Sequence, residues 1–283
     1  MNAGAPGRVA LDRLEPGLPA AWYRDPAHYV REMEAFWYRG WIAVAREEEI
    51  PDRGDWKRVA IGDQSLILCR DGGIKAFHNT CRHRGSVLCT TEQGRFERHR
   101  IVCPYHAWTY DLSGNLIATP RRMETPDFDM KAFPLHRVAV KTWGGFVFAC
   151  IDGEPPFEPP AGLEAYGLGG LRIGKRIVAD VKANWKLVCE NFSECFHCPP
   201  VHPELVRIVT AYKEAGAWGL HEDLSSRPEY KPGATTLTLD GTSRCPPFRG
   251  LSDHERRTLY RAEMHLPNLF LNVQPDYINS HLM

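Results

Sequence analysis

The sequence predicts an α+β fold in two parts, and three observations carry that reading. From about residue 46 the chain is a series of short β-rich runs, WKRVAIG, SLILCR, IKAFHN, HRIVCP and AWTYD, broken by Asp-Gly-Gly and Ser-Gly-Asn turn signals. The segment DGEPPFEPP at 152–160, rich in proline and acid, suits neither helix nor central strand and marks a boundary. Beyond it helical and β patterns mix, VCENFSECFHC reading as helix and LFLNVQPDY as strand.

The elements follow in order. Asp25-Pro26, followed by Tyr29, Val30, Met33, Phe36 and Trp37, fits an amphipathic helix with an Asp N-cap and Pro in its first turn. VAVKTWGGFVFACI adds one or two strands to the small antiparallel β domain. After the boundary, GKRIVADVKANWKLV is expected to be a strand running into Asn-Trp-Lys, and the helix after it is expected to stop at Pro199-Pro200. TTLTLDG, RAEMHLP and LFLNVQPDY are expected as later strands. The expected domains are therefore an N-terminal helical segment at 1–45 packing on the second domain, a β domain at 46–155, and a second domain at 156–283.

Composition excludes several functions. With 43% hydrophobic residues, 8 Trp and 12 Phe, the chain has ample material for packed interiors. Lys plus Arg equals Asp plus Glu at 35 each, so no basic field exists to attract nucleic acid or anionic lipid. No run of about 18 apolar residues occurs, and a cytoplasmic protein without membrane partners is the expectation. Nine cysteines, an odd number, suggest reduced thiols serving as metal ligands or as small buried hydrophobes.

One constellation stands out. Cys81-x-His83 and Cys103-x-x-His106 each follow a predicted strand, with 19 residues between the pairs. Two hairpin tips could thus face each other, each offering one thiolate and one imidazole. A [2Fe–2S] cluster with two Cys on one iron and two His on the other needs that supply. A tetrahedral zinc site of the same four residues, and a chance association of buried thiols with structural histidines, remain as alternatives. Zinc modules usually pair Cys with Cys and His with His, so the mixed order favours iron.

A second constellation lies in NWKLVCENFSECFHCPPVHPEL, where His197 and His202 are five positions apart across the Pro-Pro break. A helix end and turn can converge two imidazoles on one metal. With a carboxylate they would form the facial site that leaves positions of Fe(II) open. Two histidines at a surface turn are the plain alternative. Cys189, Cys195 and Cys198, and likewise Cys69, Cys89, Cys150 and Cys245, read as packed thiols. His78, His99 and His136 lack ligand spacing.

The sequences CRHRGS and CPYHAW, with Trp108 and Tyr-Asp-x-x-Gly after them, resemble the Rieske domain of ring-hydroxylating and related Rieske non-heme iron oxygenase alpha subunits. Asn184-Trp185-Lys186, Glu190-Asn191-Phe192 and Glu194-x-Phe-His197 resemble the start of that family's catalytic domain. The resemblance implies a helix-flanked antiparallel sheet for the second domain. It implies the [2Fe–2S] cluster on Cys81, His83, Cys103 and His106, and mononuclear Fe(II) on His197 and His202. Glu194 falls on the bridging acid, Asp in most members, that links an iron histidine to a Rieske histidine of a neighbouring subunit.

Respiratory Rieske proteins carry an extra disulfide between the loops, and Ser86 and Tyr105 stand at the matching positions here. The Ser of the respiratory second loop is also replaced, since Ala107-Trp108 follow His106. Fewer hydroxyl donors imply a potential toward the low end of the Rieske range of roughly −150 to +300 mV.

The family's third iron ligand, an Asp or Glu, lies far downstream, beyond Met283. Asp276 and Glu263 do not match it, so the chain is expected to be truncated at its C-terminus and inactive alone. The resemblance further implies a homotrimeric terminal oxygenase. Its electrons come from NAD(P)H through a separate flavin or iron–sulfur reductase, and no G-x-G-x-x-G fingerprint appears in the chain itself. With O2 it would hydroxylate or demethylate a small organic substrate. Glu-Cys-Phe-His-Cys followed by His-Pro-Glu-Leu is closer to the branch handling glycine betaine and related methylated ammonium compounds, that is, monooxygenases. An aromatic-ring dihydroxylating dioxygenase is one alternative, and a Rieske electron-transfer protein without active mononuclear iron is another.

Overall fold

A computed structural model describes residues 16–120, 126–194, 197–214, 228–258, 262–265 and 267–283. They fall into two units. One comprises Val30–Pro159 with Leu168–Arg172; the other comprises Pro160–Gly167 and Ile173–Met283 with the chain up to Tyr29.

The helix of the opening segment forms as read. After α1 (Ala21–Arg24), α2 (Pro26–Glu32) starts where Asp25 Oδ1 accepts the Ala27 N–H at 2.9 Å, and it runs on as a π-helical turn, Met33–Trp37. β1 (Ile42–Arg46) then pairs with β10 (Phe146–Cys150), so residues 42–45 belong to the β unit and the boundary expected at residue 45 is replaced by one after Tyr29.

Seven strands make the main sheet of the first unit, in the order β1, β10, β9, β4, β3, β2, β5. Here β2 is Asp55–Ile61, β3 Gln64–Asp71, β4 Gly73–His78, β5 Gln93–Arg95 and β9 Arg137–Trp143. Its strand β3 divides two cores by simple alternation of side chains. Leu66 and Leu68 of β3 join Ile42, Val59 and Val147, while Ile67 and Cys69 join Phe77, Ile101, Tyr110 and Leu135. A smaller sheet, β6 (Arg100–Val102), β7 (Thr109–Asp111) and β8 (Leu116–Ala118), closes the second of these cores. The β9–β10 hairpin turns through Gly144 and Gly145, both at positive φ (57° and 77°), the conformation a two-residue primed turn requires.

Arg46 explains why Leu168–Arg172 returns to this unit. Its guanidinium donates to the carbonyls of Gly144 (2.6 Å), Leu168 (3.0 Å) and Leu171 (3.2 Å) and lies over the Phe146 ring.

In the second unit α3 (Trp185–Ser193) is capped by Asn184, whose Oδ1 accepts the Lys186 N–H at 3.0 Å. Two short helices follow, α4 (Cys198–Val201) and α5 (Pro203–Ile208). Three antiparallel strands, β11 (Ala262–His265), β12 (Leu269–Val273) and β13 (Ile278–Leu282), form a sheet. Phe192 of α3 stacks on Phe270 of β12.

Three sequence expectations change. Residues 171–183 are not a strand, and Ile177, Val178 and Val181 are exposed there. TTLTLDG is a set of bends, since Asp240 takes the hydroxyls of Thr238 and Thr242 and the Thr242 N–H, a local network that competes with strand pairing. Pro199 and Pro200 do not end a helix; they sit in the first turn of α4, where no N–H is needed. No helix among the described residues is long and apolar enough to cross a membrane.

Candidate metal centres

The first loop of the first constellation leaves β4 and carries Cys81 and His83. Its backbone is closed by Cys81 N–H to Ser86 O (2.8 Å), Gly85 N–H to Cys81 O (3.0 Å) and a bridge between Thr80 and Val87. The second loop joins β6 to β7, with Val102 paired to Thr109 across its base. Cys103 N–H donates to Trp108 O at 2.8 Å, and Ala107 N–H to Cys103 O at 3.0 Å. Ala107 takes φ +52°, a left-handed turn directly after His106.

The four side chains come together as two pairs. His83 Nδ1 and His106 Nδ1 face each other at 3.1 Å. Cys81 and Cys103 are both 2% exposed and belong to the same buried cluster. Burial pushes the Cys81 thiol up, with a lesser contribution from Cys103, and the Tyr110 hydroxyl opposes the shift. Among the described residues no group of three or more His, Cys, Asp or Glu converges as a single-ion site. Two thiols for one iron and two imidazole Nδ1 atoms for another is the donor set of the His2Cys2 [2Fe–2S] cluster, whereas one tetrahedral zinc would need all four on one ion. The residues fit the cluster.

Aromatic rings fix the imidazoles. Trp108 lies flat on His83 (centroids 4.8 Å, 9° between planes) and is itself buttressed edge-on by Phe128 and Phe133. Tyr105, 60% exposed, stacks on His106. The Ser86 hydroxyl is turned to the Val87 carbonyl.

Tyr110 enters the sequence reading only as part of the Tyr-Asp-x-x-Gly motif, without a role at the site. Its hydroxyl lies 3.3 Å from Cys81 Sγ and accepts the Arg82 N–H at 3.2 Å. The alternation of β7 was the available signal, since Tyr110 pairs with buried Ile101 and so points into the core beneath the cluster loops.

In the second unit Glu194 ends α3 and His197 caps α4, and Glu194 Oε1 lies 2.6 Å from His197 Nδ1. That contact assigns the Nδ1 proton to His197 and makes its Nε2 the nitrogen that carries the lone pair. His202, between α4 and α5, brings its ring to 5.2 Å from that of His197 at 79°. Two imidazoles so placed fit one metal ion. Asp276 accepts from the hydroxyls of Thr236 and Ser243. Glu263 as a side chain lies outside the described set. Cys198, expected as a reduced thiol, is disulfide-bonded, whereas seven others, including exposed Cys245, are free; Cys195 lies outside the described residues.

Comparison with known proteins agrees with this architecture. The model of the Rieske [2Fe-2S] domain matches residues 40–134, and that of the ring hydroxylating alpha subunit catalytic domain matches residues 168–283. The chain is thus a Rieske domain followed by a ring-hydroxylating catalytic region, and it belongs to the family of Rieske non-heme iron oxygenase alpha subunits. Within that class it is 38% identical over 222 residues to the glycine betaine monooxygenase oxygenase subunit of Chromohalobacter salexigens, covering 76% of this chain and 48% of that protein. A quaternary ammonium Rieske monooxygenase crystallised with its substrate L-carnitine superposes with a TM-score of 0.60 at 30% identity, over 65% of this chain and 54% of that one. Naphthalene 1,2-dioxygenase from a Rhodococcus species shares the fold, with a TM-score of 0.63 at 23% identity over 93% of this chain and 69% of that one. The chain spans about half the length of the curated relatives it matches.

Proposed function

We propose that Cys81 and Cys103 hold one iron and His83 and His106 the other iron of the Rieske cluster, and that His197 and His202 hold mononuclear Fe(II). The pairing of donors carries this reading: two buried thiols together, two Nδ1 atoms 3.1 Å apart, and a separate imidazole pair with a carboxylate behind it. When bound, the cluster relays single electrons and the mononuclear iron activates dioxygen. Glu194 holds the His197 Nδ1 proton, fixes the ring and offers its second oxygen to a Rieske histidine of a neighbouring subunit.

In this reading the protein is a cytoplasmic, homotrimeric terminal oxygenase, fed from NAD(P)H by a flavin or iron–sulfur reductase. Its substrate is a small quaternary ammonium compound, hydroxylated at a carbon beside nitrogen. The relatives acting on glycine betaine and carnitine support that class. The third iron ligand is not assigned.

Two measurements test it. Iron and sulfide analysis with EPR of the dithionite-reduced protein is expected to give about two irons and two sulfides per chain with a Rieske signal. A further, labile iron is expected to vanish in His197→Ala; iron content unchanged by that substitution would favour an electron-transfer protein instead. With a surrogate reductase and NADH the chain alone is expected to form no product from glycine betaine or carnitine, and oxygen-dependent product would overturn that expectation; a dihydrodiol from naphthalene would overturn the substrate class.

A further inference from the structure

Asn79 is an uncharged side chain that is 1% exposed, with every hydrogen-bonding valence of its amide filled. Its Nδ2 donates to Ser65 Oγ (3.1 Å) and to the Cys89 carbonyl (2.8 Å). Its Oδ1 accepts the N–H groups of Leu88 (3.1 Å) and Cys89 (2.8 Å). Toward Cys89 the amide both gives and takes a bond, as a paired backbone residue does across an antiparallel ladder.

Asn79 stands where the first cluster loop leaves β4, and Leu88 and Cys89 stand where it returns. Above this base come the Thr80–Val87 bridge, the Cys81–Ser86 bond and the Gly85–Cys81 bond. The second loop has a different base, the backbone pairing of Val102 with Thr109. Below the Thr80–Val87 bridge, then, the first loop is tied by an amide side chain where the second loop has strand pairing.

We infer that Asn79 is the positioning residue of the first cluster loop, its carboxamide substituting for strand pairing at the loop's base and so setting where Cys81 and His83 meet their partners on the second loop. Deleting it leaves two N–H groups and a carbonyl in the core without partners and frees the ends of the loop. This inference rests on the assignment of Cys81 and His83 as cluster ligands.

The test uses the holoprotein and three variants. Asn79→Ala removes the clamp. Asn79→Asp keeps the acceptor for Leu88 and Cys89 but loses both donated bonds. Ser65→Ala removes only the partner outside the loop. Expected results are cluster loss to an iron chelator at least tenfold faster than wild type, with broadened reduced-state EPR lines, in both Asn79 variants, and a rate within twofold of wild type in Ser65→Ala. A folded Asn79→Ala protein, by far-UV circular dichroism, with wild-type chelation rate and line widths would overturn the inference. If neither Asn79 variant folds, hydrogen exchange by mass spectrometry on wild type decides. Protection of the 86–90 segment equal to that of β3 supports the clamp, and exchange at the rate of an open loop overturns it. Absence of any Rieske signal from wild type would instead overturn the ligand assignment.

Discussion

The two units differ in how their candidate ligands are held. In the Val30–Pro159 unit the cluster loops rise from paired strands over a core that includes Phe77, Ile101 and Tyr110, and Cys81 and Cys103 are themselves part of that core. In the other unit His197 and His202 flank α4, a four-residue helix, and the clusters beneath are small: Cys198 with Val206, and Ile208 with Val209 and Tyr230. Among the described residues no third ligand joins the two imidazoles. All four donors proposed for the cluster are thus present in the first unit, whereas the proposed mononuclear site is represented by two histidines and their supporting carboxylate. Removal of metal should therefore affect the two units very differently.

The largest expected effect is at the relay. Cys103→Ser removes a thiolate from the core and should abolish the cluster, taking iron and sulfide in the purified protein close to zero and bleaching its visible spectrum. His197→Ala should remove only the labile iron and leave the Rieske EPR signal unchanged. If loss of His197 also extinguished that signal, the two sites would be coupled in a way the present division into units does not provide.

Sequence and structure agree unevenly across this division, for a physical reason. The Rieske loops were legible because each candidate ligand lies close after a strand with clear alternation, as in HRIVCP. The β9–β10 hairpin was legible through its two glycines. Residues 171–183 were not: IVADV has the composition of a strand, but strand formation depends on a partner, and no ladder engages it in the described structure. The role of Pro199-Pro200 was misread because proline forbids the interior of a helix but not its first turn. The contacts of Tyr110 and Asn79 are not legible in the sequence because they are made with residues distant along the chain.

Next in size is an alkaline effect to which two buried thiols of the cluster unit contribute. Burial pushes the thiols of Cys69 and Cys89 up to about 12, from an ordinary 9.0. Between those values the unfolded chain has lost the proton and the folded one retains it. Stability is therefore complete below pH 9 and falls as pH rises toward 12, by about 1.4 kcal/mol per pH unit for each thiol. Urea unfolding between pH 8 and 11 should show this slope, and Cys69→Ala should remove one thiol's share of it. A flat profile would mean that the interior of this unit admits water more readily than its packing implies.

The smallest expected effect concerns the potential. Ser86 and Thr109 spend their hydroxyl protons on the carbonyls of Val87 and Ala107, which agrees with a weakly stabilised reduced cluster. Tyr110 works in the opposite direction. Because its oxygen already accepts the Arg82 N–H, its own proton is free to point at Cys81 Sγ, 3.3 Å away. A hydrogen bond to that sulfur strengthens when the cluster gains an electron, so it raises the potential. Tyr110→Phe keeps the ring in the core and deletes the donor. If the bond is about 1 kcal/mol stronger in the reduced state, the midpoint should fall by roughly 40 mV for this one-electron couple. Protein-film voltammetry of the two proteins at one pH measures the difference directly. A midpoint unchanged or raised would show that the Tyr110 proton is directed elsewhere, and that the potential is set by burial and by the exposed histidine pair rather than by this hydroxyl.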